Sequence, residues 1–363
     1  MINKLFTLFL CASVLAFSSC SSDDDSITGT GPIDVLIEGA LVSPQIGGPN
    51  EQNQVYIDLS TNVSTNIQRD TWDLGFYSGD DFRVTINGSI YMGAAALTST
   101  DIDAINSTNT EVQNLQPDVK VGTFNAISGT YIDAPNGAIN GTAISEISVS
   151  NSDNPVYLIN LGNEVGTTVP AVGSVNTQGE ARGWKKIRVL RNGDDYVLQY
   201  ADLDATTHEE VTISKTPTYN FTHFSFNTNS IVSVEPAKTE WDLNFTVFTD
   251  IISGYGAYGY SDFVAINSKF QVEAYKIDTE TEAITYDEFT LADIINDNFS
   301  DDQRAIGTNW RSGGGPNSLP ALYDNVFFVL KDSDGNIYKI KFLSMYNDAE
   351  KRGHPQFVYS LLQ

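Results

Sequence analysis

Hydrophobic residues alternate with polar residues over most of the chain, and this period of two predicts β-strands. Short runs rich in Val, Ile, Thr, Tyr and Phe are separated by clusters of Asn, Asp, Gly and Ser. Few windows place apolar side chains at the spacing of one helical face, and the best of them is residues 290–298. The pattern therefore predicts an all-β protein, an antiparallel β-sandwich or barrel, with one short helix. The clearest predicted strands are residues 55–59, 82–86, 187–190, 196–200, 326–330 and 338–342.

The chain repeats this pattern, which predicts two β modules in tandem. A Trp-Asp-Leu-x-Phe unit begins at Trp72 and returns at Trp241. Each half ends in two strands around an Asn-Gly or an Asp-Gly turn, and these dipeptides favour tight hairpins. We expect a first module over residues 34–216 and a second over residues 217–363. The alternative is a single domain whose central sheets use similar strands.

The alternation within the Trp-Asp unit gives its residues separate roles. In the first copy it places Trp72, Leu74 and Phe76 on one face of a strand and Asp73 on the other. A Trp ring buries a large area, so it suits a core anchor. The Asp suits a turn cap or a local pair, and neither residue is expected to be catalytic.

The start of the chain predicts export and a lipid anchor. Residues 1–19 combine a positive charge with a short apolar run, which is typical of a signal peptide and too short to span a bilayer. Small residues lead to Cys20, as in the bacterial lipobox, where the Cys is acylated and becomes the first residue of the mature chain. An ordinary signal peptide with an unrelated Cys is the alternative.

Residues 20–33 predict an acidic, flexible tether. The Asp run at residues 23–25 resembles the surface-export signal of Bacteroidetes lipoproteins, whereas a plain solvated spacer would leave the protein on the periplasmic side. The other cysteine of the chain, Cys11, lies in the predicted signal peptide. We therefore expect no disulfide and no thiolate site in the body.

Charge and composition exclude several classes of function. The chain has 20 Lys and Arg against 46 Asp and Glu, a net charge of −26. Binding of nucleic acid or of anionic lipid needs clustered cations, so neither is expected. No metalloprotease, lipase, P-loop or dinucleotide-binding motif occurs, and three His residues leave few nucleophile–base pairs. We expect no enzyme activity and no catalytic residue.

These features together resemble the HmuY family, haem-binding surface lipoproteins of Bacteroidetes. The resemblance rests on the lipobox, the Trp-Asp units, the Asp-Gln-Arg and Trp-Arg sequences within residues 302–311, and the closing stretch at residues 327–359. It is clear over residues 219–363 and weaker over residues 54–214. It implies an all-β fold at the outer membrane and a role in iron acquisition. Haem or another tetrapyrrole would be captured outside the cell and delivered to a TonB-dependent outer-membrane receptor.

The resemblance does not supply iron ligands. Members of the family use His or Met from loops between the Trp-Asp strand and the closing hairpin, but residues 246–325 and 105–181 contain neither. No site for a bare metal ion is expected. Thioethers and phenols can also ligate haem iron. The haem-binding candidates are Met92, His223, and Tyr255, Tyr258 and Tyr260 of the Gly-interleaved GYGAYGY loop.

Each candidate also has a purely structural interpretation. Met92 would fill a gap in the core, His223 would lie at the surface or at a turn, and the Gly-rich loop would be flexible with buried Tyr side chains. The sequence thus leaves two functions open. The first is haem capture by a lipid-anchored binding protein. The second is an interaction lipoprotein of the same fold that binds a protein or glycan partner through aromatic loops.

Overall fold

The computed structural model describes residues 37–314 and 318–363, so the predicted signal peptide, Cys20 and the tether lie outside the described residues. The described residues belong to one compact unit. The strands are β1 (Gly39–Val42), β2 (Asn53–Asp58), β3 (Val63–Gln68), β4 (Leu74–Tyr77), β5 (Val84–Ile86), β6 (Gly93–Ala96), β7 (Val156–Asn160), β8 (Trp184–Asn192), β9 (Asp195–Asp202), β10 (Glu209–Ile213), β11 (Phe221–Ser225), β12 (Ser230–Val232), β13 (Leu243–Ile252), β14 (Gly256–Ile266), β15 (Glu273–Asp278), β16 (Val326–Lys331), β17 (Ile337–Tyr346) and β18 (Arg352–Leu361).

The strands form four antiparallel sheets. Two sheets have five strands each, in the orders β1-β18-β17-β16-β15 and β10-β9-β8-β7-β6. The other two have four strands each, in the orders β12-β11-β4-β5 and β14-β13-β2-β3. The predicted all-β antiparallel fold is confirmed. The hairpins β8–β9 and β16–β17 turn at the predicted Asn-Gly and Asp-Gly dipeptides.

Each four-stranded sheet packs on a five-stranded sheet across its own hydrophobic core, so the molecule contains two β-sandwiches. Strands β4–β12 enclose a core that includes Phe76 and Phe224. Strands β1–β3 and β13–β18 enclose another that includes Ile57, Phe245 and Phe328. Alternate strand residues point into these cores, as the period-two pattern requires.

The two sandwiches exchange the opening hairpins of the predicted repeats. Hairpin β2–β3 pairs with β13, where Ile57 lies opposite Leu243. Hairpin β11–β12 pairs with β4, where Phe224 lies opposite Leu74. The chain thus leaves one sandwich after β3, builds the other from β4 to β12, and then returns. The division at residue 216 stays a prediction about the sequence repeat, and strand pairing crosses it in both directions.

The two Trp-Asp units hold the exchanged hairpins. Asp73 accepts a hydrogen bond of 2.6 Å from the Phe226 amide in the turn of β11–β12. Asp242 accepts one of 2.9 Å from the Leu59 amide in the turn of β2–β3. The predicted turn cap is confirmed, and each Asp caps the hairpin of the opposite repeat.

The prediction that Trp72 shares a face with Leu74 and Phe76 is wrong. Strand β4 begins at Leu74, so the strand alternation does not extend back to the indole. Trp72 instead packs in a cluster with Tyr56 and Trp241, between the two four-stranded sheets. The indoles therefore join the two sandwiches.

The predicted helix at residues 290–298 is not an α-helix. It forms two 3₁₀-helices, Leu291–Asp293 and Asn296–Asn298, and its apolar side chains at Leu291 and Ile295 are exposed. Ile294 packs against the core cluster that includes Tyr275 and Phe327, and short 3₁₀ turns suffice there as connectors. The α-helices of the described residues are α1 (Thr110–Leu115) and α2 (Thr279–Glu282).

Candidate functional site

A cleft of about 930 Å³ opens beside the long hairpin of β13 and β14. Small-molecule sites have volumes of about 300–1,000 Å³. Both predicted repeats supply its walls, since Tyr91 comes from the first and Tyr260 from the second. We call it the tyrosine cleft. Its aromatic and charged lining residues are Tyr91, Tyr258, Tyr260, Lys276, Asp278, Arg311, Tyr323 and Arg352.

The GYGAYGY segment forms one wall of the tyrosine cleft. The prediction that this segment is a loop is wrong, because all of it after residue 255 belongs to strand β14. A Cβ on Gly259 would overlap the ring of Tyr91, so only glycine allows that ring to lie against the strand. The alternative of buried Tyr side chains is also wrong for Tyr255, which is 58% exposed.

Two arginines form a cationic floor of the tyrosine cleft. Arg352 donates a hydrogen bond of 2.6 Å to Asp262, and Nε of Arg311 lies 3.4 Å from the same carboxylate oxygen. The Asp262 amide donates to Glu51 at 3.0 Å. Burial, aided by the Asp262 charge, raises the pKa of Glu51 to about 8. With Glu51 protonated at neutral pH, two guanidinium groups face one carboxylate, and the floor is net positive.

Tyr258 and Tyr260 lie side by side in the tyrosine cleft, with ring centroids 5.5 Å apart in an edge-to-face contact. Burial raises the pKa of Tyr260, and the positive charge of Arg311 opposes that rise. Tyr255 lies at the turn of the same hairpin and contacts the exposed ring of Phe124. It does not line the cleft, so the three tyrosines have different surroundings.

Met92 and His223 line a second space, an inner cavity of about 200 Å³ between the two four-stranded sheets. Met92 is fully buried, in the core of the β4–β12 sandwich. The surface interpretation of His223 is wrong, because the Trp72 ring covers it at 4.8 Å between centroids. Burial lowers the pKa of His223 to about 3. A cavity of about 150 Å³ holds benzene, so this space suits one ring and not the four of a porphyrin.

The haem-binding candidates therefore lie in three separate places. Tyr258 and Tyr260 share the tyrosine cleft, Met92 and His223 share the inner cavity, and Tyr255 is on an exposed turn. No pair of a His or Met with a Tyr from the candidate set lines a common space in the described residues.

Sequence reasoning missed Tyr91, Arg311 and Arg352 as cleft residues. A signal was present for the arginines, since both lie in the stretches that resemble the HmuY family. The contacts of Arg311 and Arg352 with Asp262 join segments that are distant in sequence. No local pattern predicts such a meeting.

In residues 37–314 and 318–363, no cluster of three or more His, Cys, Asp or Glu side chains could hold a metal ion. No helix in the same part of the chain has the length and apolar character that a bilayer crossing needs.

The sequence model of the HmuY protein family matches this chain twice, over residues 50–204 and 217–359. The chain belongs to the HmuY family. The resemblance noted in the sequence is thereby confirmed, and the two matches agree with the predicted tandem modules. No curated protein matches the chain.

Three solved structures are similar to this HmuY-family chain. Apo PinO from Porphyromonas gingivitis has 16% identity, with 48% of this chain and 94% of that one covered, at a TM-score of 0.23. A Bacteroides fragilis protein described as a candidate lipoprotein has 11% identity, 91% and 94% coverage, and a TM-score of 0.23. The apo HmuY analog of Tannerella forsythia has 12% identity, 90% and 98% coverage, and a TM-score of 0.25.

Proposed function

We propose that this chain is a non-enzymatic binding protein that captures haem in the tyrosine cleft. A lipid on Cys20 would anchor it at the outer membrane, exposed at the cell surface. The observation that carries the proposal is the pairing of two phenols, Tyr258 and Tyr260, with two guanidinium groups, Arg311 and Arg352, in one cleft. Membership of the HmuY family supports the same ligand class.

The groups in the tyrosine cleft match the parts of haem. Haem presents a flat ring, an iron and two carboxylates. The volume of about 930 Å³ accommodates a ligand of that size class. Arginine suits carboxylates because its planar fork can donate two parallel hydrogen bonds. A Tyr oxygen ligates haem iron in known proteins.

Tyr260 is our choice for the iron ligand. Its ring is less exposed than that of Tyr258. Burial and the negative charge of Asp250 raise the pKa of Tyr260, and the charge of Arg311 offsets part of that rise. A ligating phenol must lose its proton, so haem binding should release a proton and strengthen as pH rises. Delivery of the haem to a TonB-dependent outer-membrane receptor is the remaining part of the proposal.

The test is a titration of ferric haem into the chain without residues 1–31, followed at the Soret band. We expect a saturable shift in the unaltered chain. Tyr260→Phe should weaken binding by at least the roughly 10–100-fold that losing a second-shell partner of a metal ligand costs. Tyr255→Phe is the matched control, because it makes the same change on the same hairpin outside the cleft, and it should have no effect.

Two results would contradict this assignment of the haem site. The first is a shift that survives in Tyr260→Phe but is lost in His223→Gln or Met92→Leu, which would place the ligand at the inner cavity. The second is a titration without any saturable shift.

The second candidate function is an interaction lipoprotein without haem. It is favoured by the absence of His and Met from residues 246–325 and by an exposed aromatic patch of Phe124, Tyr255 and Tyr258. Such a patch offers flat contact area to a protein or glycan. A featureless haem titration, with glycan-array binding that Phe124→Ser abolishes, would support this alternative.

A further inference from the structure

The inner cavity is lined by different residues from those of the tyrosine cleft. It lies between the two four-stranded sheets, and the Trp of each Trp-Asp unit forms part of its wall. The rings of Tyr56 and Phe248 and the side chain of Val247 add apolar surface. The volume of about 200 Å³ exceeds the roughly 150 Å³ that holds benzene in an engineered cavity.

Three residues of this lining each carry a buried polar atom that has no hydrogen-bond partner among the described residues. These atoms are the indole Nε1 atoms of Trp72 and Trp241 and the amide oxygen of Asn244. Trp241 is only 8% exposed. Burying a donor or an acceptor without a partner is unfavourable, so such groups are normally matched by a partner. Two donors and one acceptor among the lining residues suit a ligand that both accepts and donates a hydrogen bond.

The ionisable groups on the lining favour an uncharged occupant. Burial lowers the pKa of His223 to about 3 and raises the pKa of Glu235 to about 8, so both are neutral at pH 7. Lys269 and Asp133 carry opposite charges there, since burial brings their pKa values to about 8 and about 6. The Asp133 carboxylate is also held by the amides of residues 86 and 143, at 2.9 and 2.8 Å. The ionisable side chains of the lining therefore carry no net charge at pH 7, and nothing in the lining favours a charged ligand.

We propose that the inner cavity is a second binding site, for a small uncharged ring compound that carries a hydroxyl group, of the size of phenol. The hydroxyl oxygen accepts from an indole N–H of the Trp pair, and its proton is donated to Asn244. The ring occupies the apolar part of the cavity. This site does not depend on haem binding, since no lining residue is shared with the tyrosine cleft.

A segment of the first repeat forms part of the cavity lining and is held by residues of the second. Residues 132–135 and 137–139 contribute to the lining. The Gln303 side chain donates a hydrogen bond of 2.9 Å to the carbonyl oxygen of Pro135. The Lys269 side chain donates a hydrogen bond to the carbonyl oxygen of Gly137. These two side-chain hydrogen bonds hold one short segment of the first repeat against residues of the second repeat.

The test is calorimetric titration of the chain without residues 1–31 with phenol and with toluene, which has the same ring and no hydroxyl. We expect one saturable site, with phenol bound about tenfold or more tightly than toluene. Asn244→Leu should remove this preference, and Trp241→Phe should reduce it. Tyr260→Phe should leave it unchanged, because Tyr260 lines only the tyrosine cleft.

Three outcomes would overturn the second site. They are no saturable phenol binding, equal affinity for phenol and toluene, and an undiminished preference in Asn244→Leu. If Asn244→Leu fails to fold, Trp241→Phe gives the same comparison. The haem titration is run on the same variants. An intact Soret shift in a variant that has lost phenol binding would separate the two sites.

Discussion

Replacing Asp73 by Ala should destabilise the protein more than the equivalent change at Asp242. The Asp73 carboxylate is fully buried, accepts the Phe226 amide at 2.6 Å and pairs with Arg182 at 2.6 Å. The Arg182 side chain is itself only 3% exposed. Removing one partner of a buried ion pair costs about 3–5 kcal/mol, because the other charge stays buried. Glu164, 3.6 Å from Arg182, retains part of the pairing and favours the lower end.

Asp242 supplies the matched comparison. It caps the equivalent turn through the Leu59 amide, but no arginine pairs with it in the described residues. Burial raises the pKa of Asp242 well above its usual range. Asp242→Ala should then cost about 1–3 kcal/mol, the loss of one buried hydrogen bond. With Asp73→Ala at the lower end of its range, the expected difference between the two variants is about 1 kcal/mol.

Urea unfolding followed by tryptophan fluorescence measures both free energies of unfolding. Asp73→Ala should have the lower midpoint, with an unchanged slope if only the folded state is affected. Equal losses in the two variants, or a larger loss in Asp242→Ala, would refute the argument from the buried ion pair.

Three further predictions concern stability and folding. Burial raises the pKa of Glu235 to about 8 in the fold, whereas in the unfolded chain it is near 4.5, so the free energy of unfolding should fall as pH rises between these values. Glu235→Gln should flatten this pH dependence in urea melts at several pH values. An unchanged pH dependence would contradict the burial argument. Gly259→Ala should lower the free energy of unfolding by about 1–3 kcal/mol, since the added methyl group overlaps the Tyr91 ring; an unchanged thermal melt would refute this. A fragment of residues 70–232 contains all strands of one sandwich and should unfold cooperatively when followed by circular dichroism. A fragment of residues 34–216 lacks β11–β12 and should not unfold cooperatively. The reverse result would contradict the strand exchange.

Local patterns in the sequence predict the strands, the closing hairpins and the capping Asp well. The Asn-Gly turn works because Gly193 adopts a left-handed conformation with φ of 63°, which the dipeptide favours. The role of Asp73 as a cap likewise follows from its residue type and its place beside a strand.

Long-range pairing is what the sequence does not predict. Nothing local distinguishes pairing of β2 with β13 from pairing with β4, because both partners carry the same Trp-Asp-Leu-x-Phe pattern. The burial of His223 has the same cause, since its cover comes from Trp72 in the other repeat. The cationic floor also needs Arg311 and Arg352 to converge on Asp262.

The most direct test of haem capture in the tyrosine cleft is resonance Raman spectroscopy of the ferric haem complex. We predict phenolate vibrations enhanced by an iron–phenolate charge-transfer band, present in the unaltered chain and in Tyr255→Phe and lost in Tyr260→Phe. A spectrum of His or Met ligation that is unchanged in Tyr260→Phe would contradict the account.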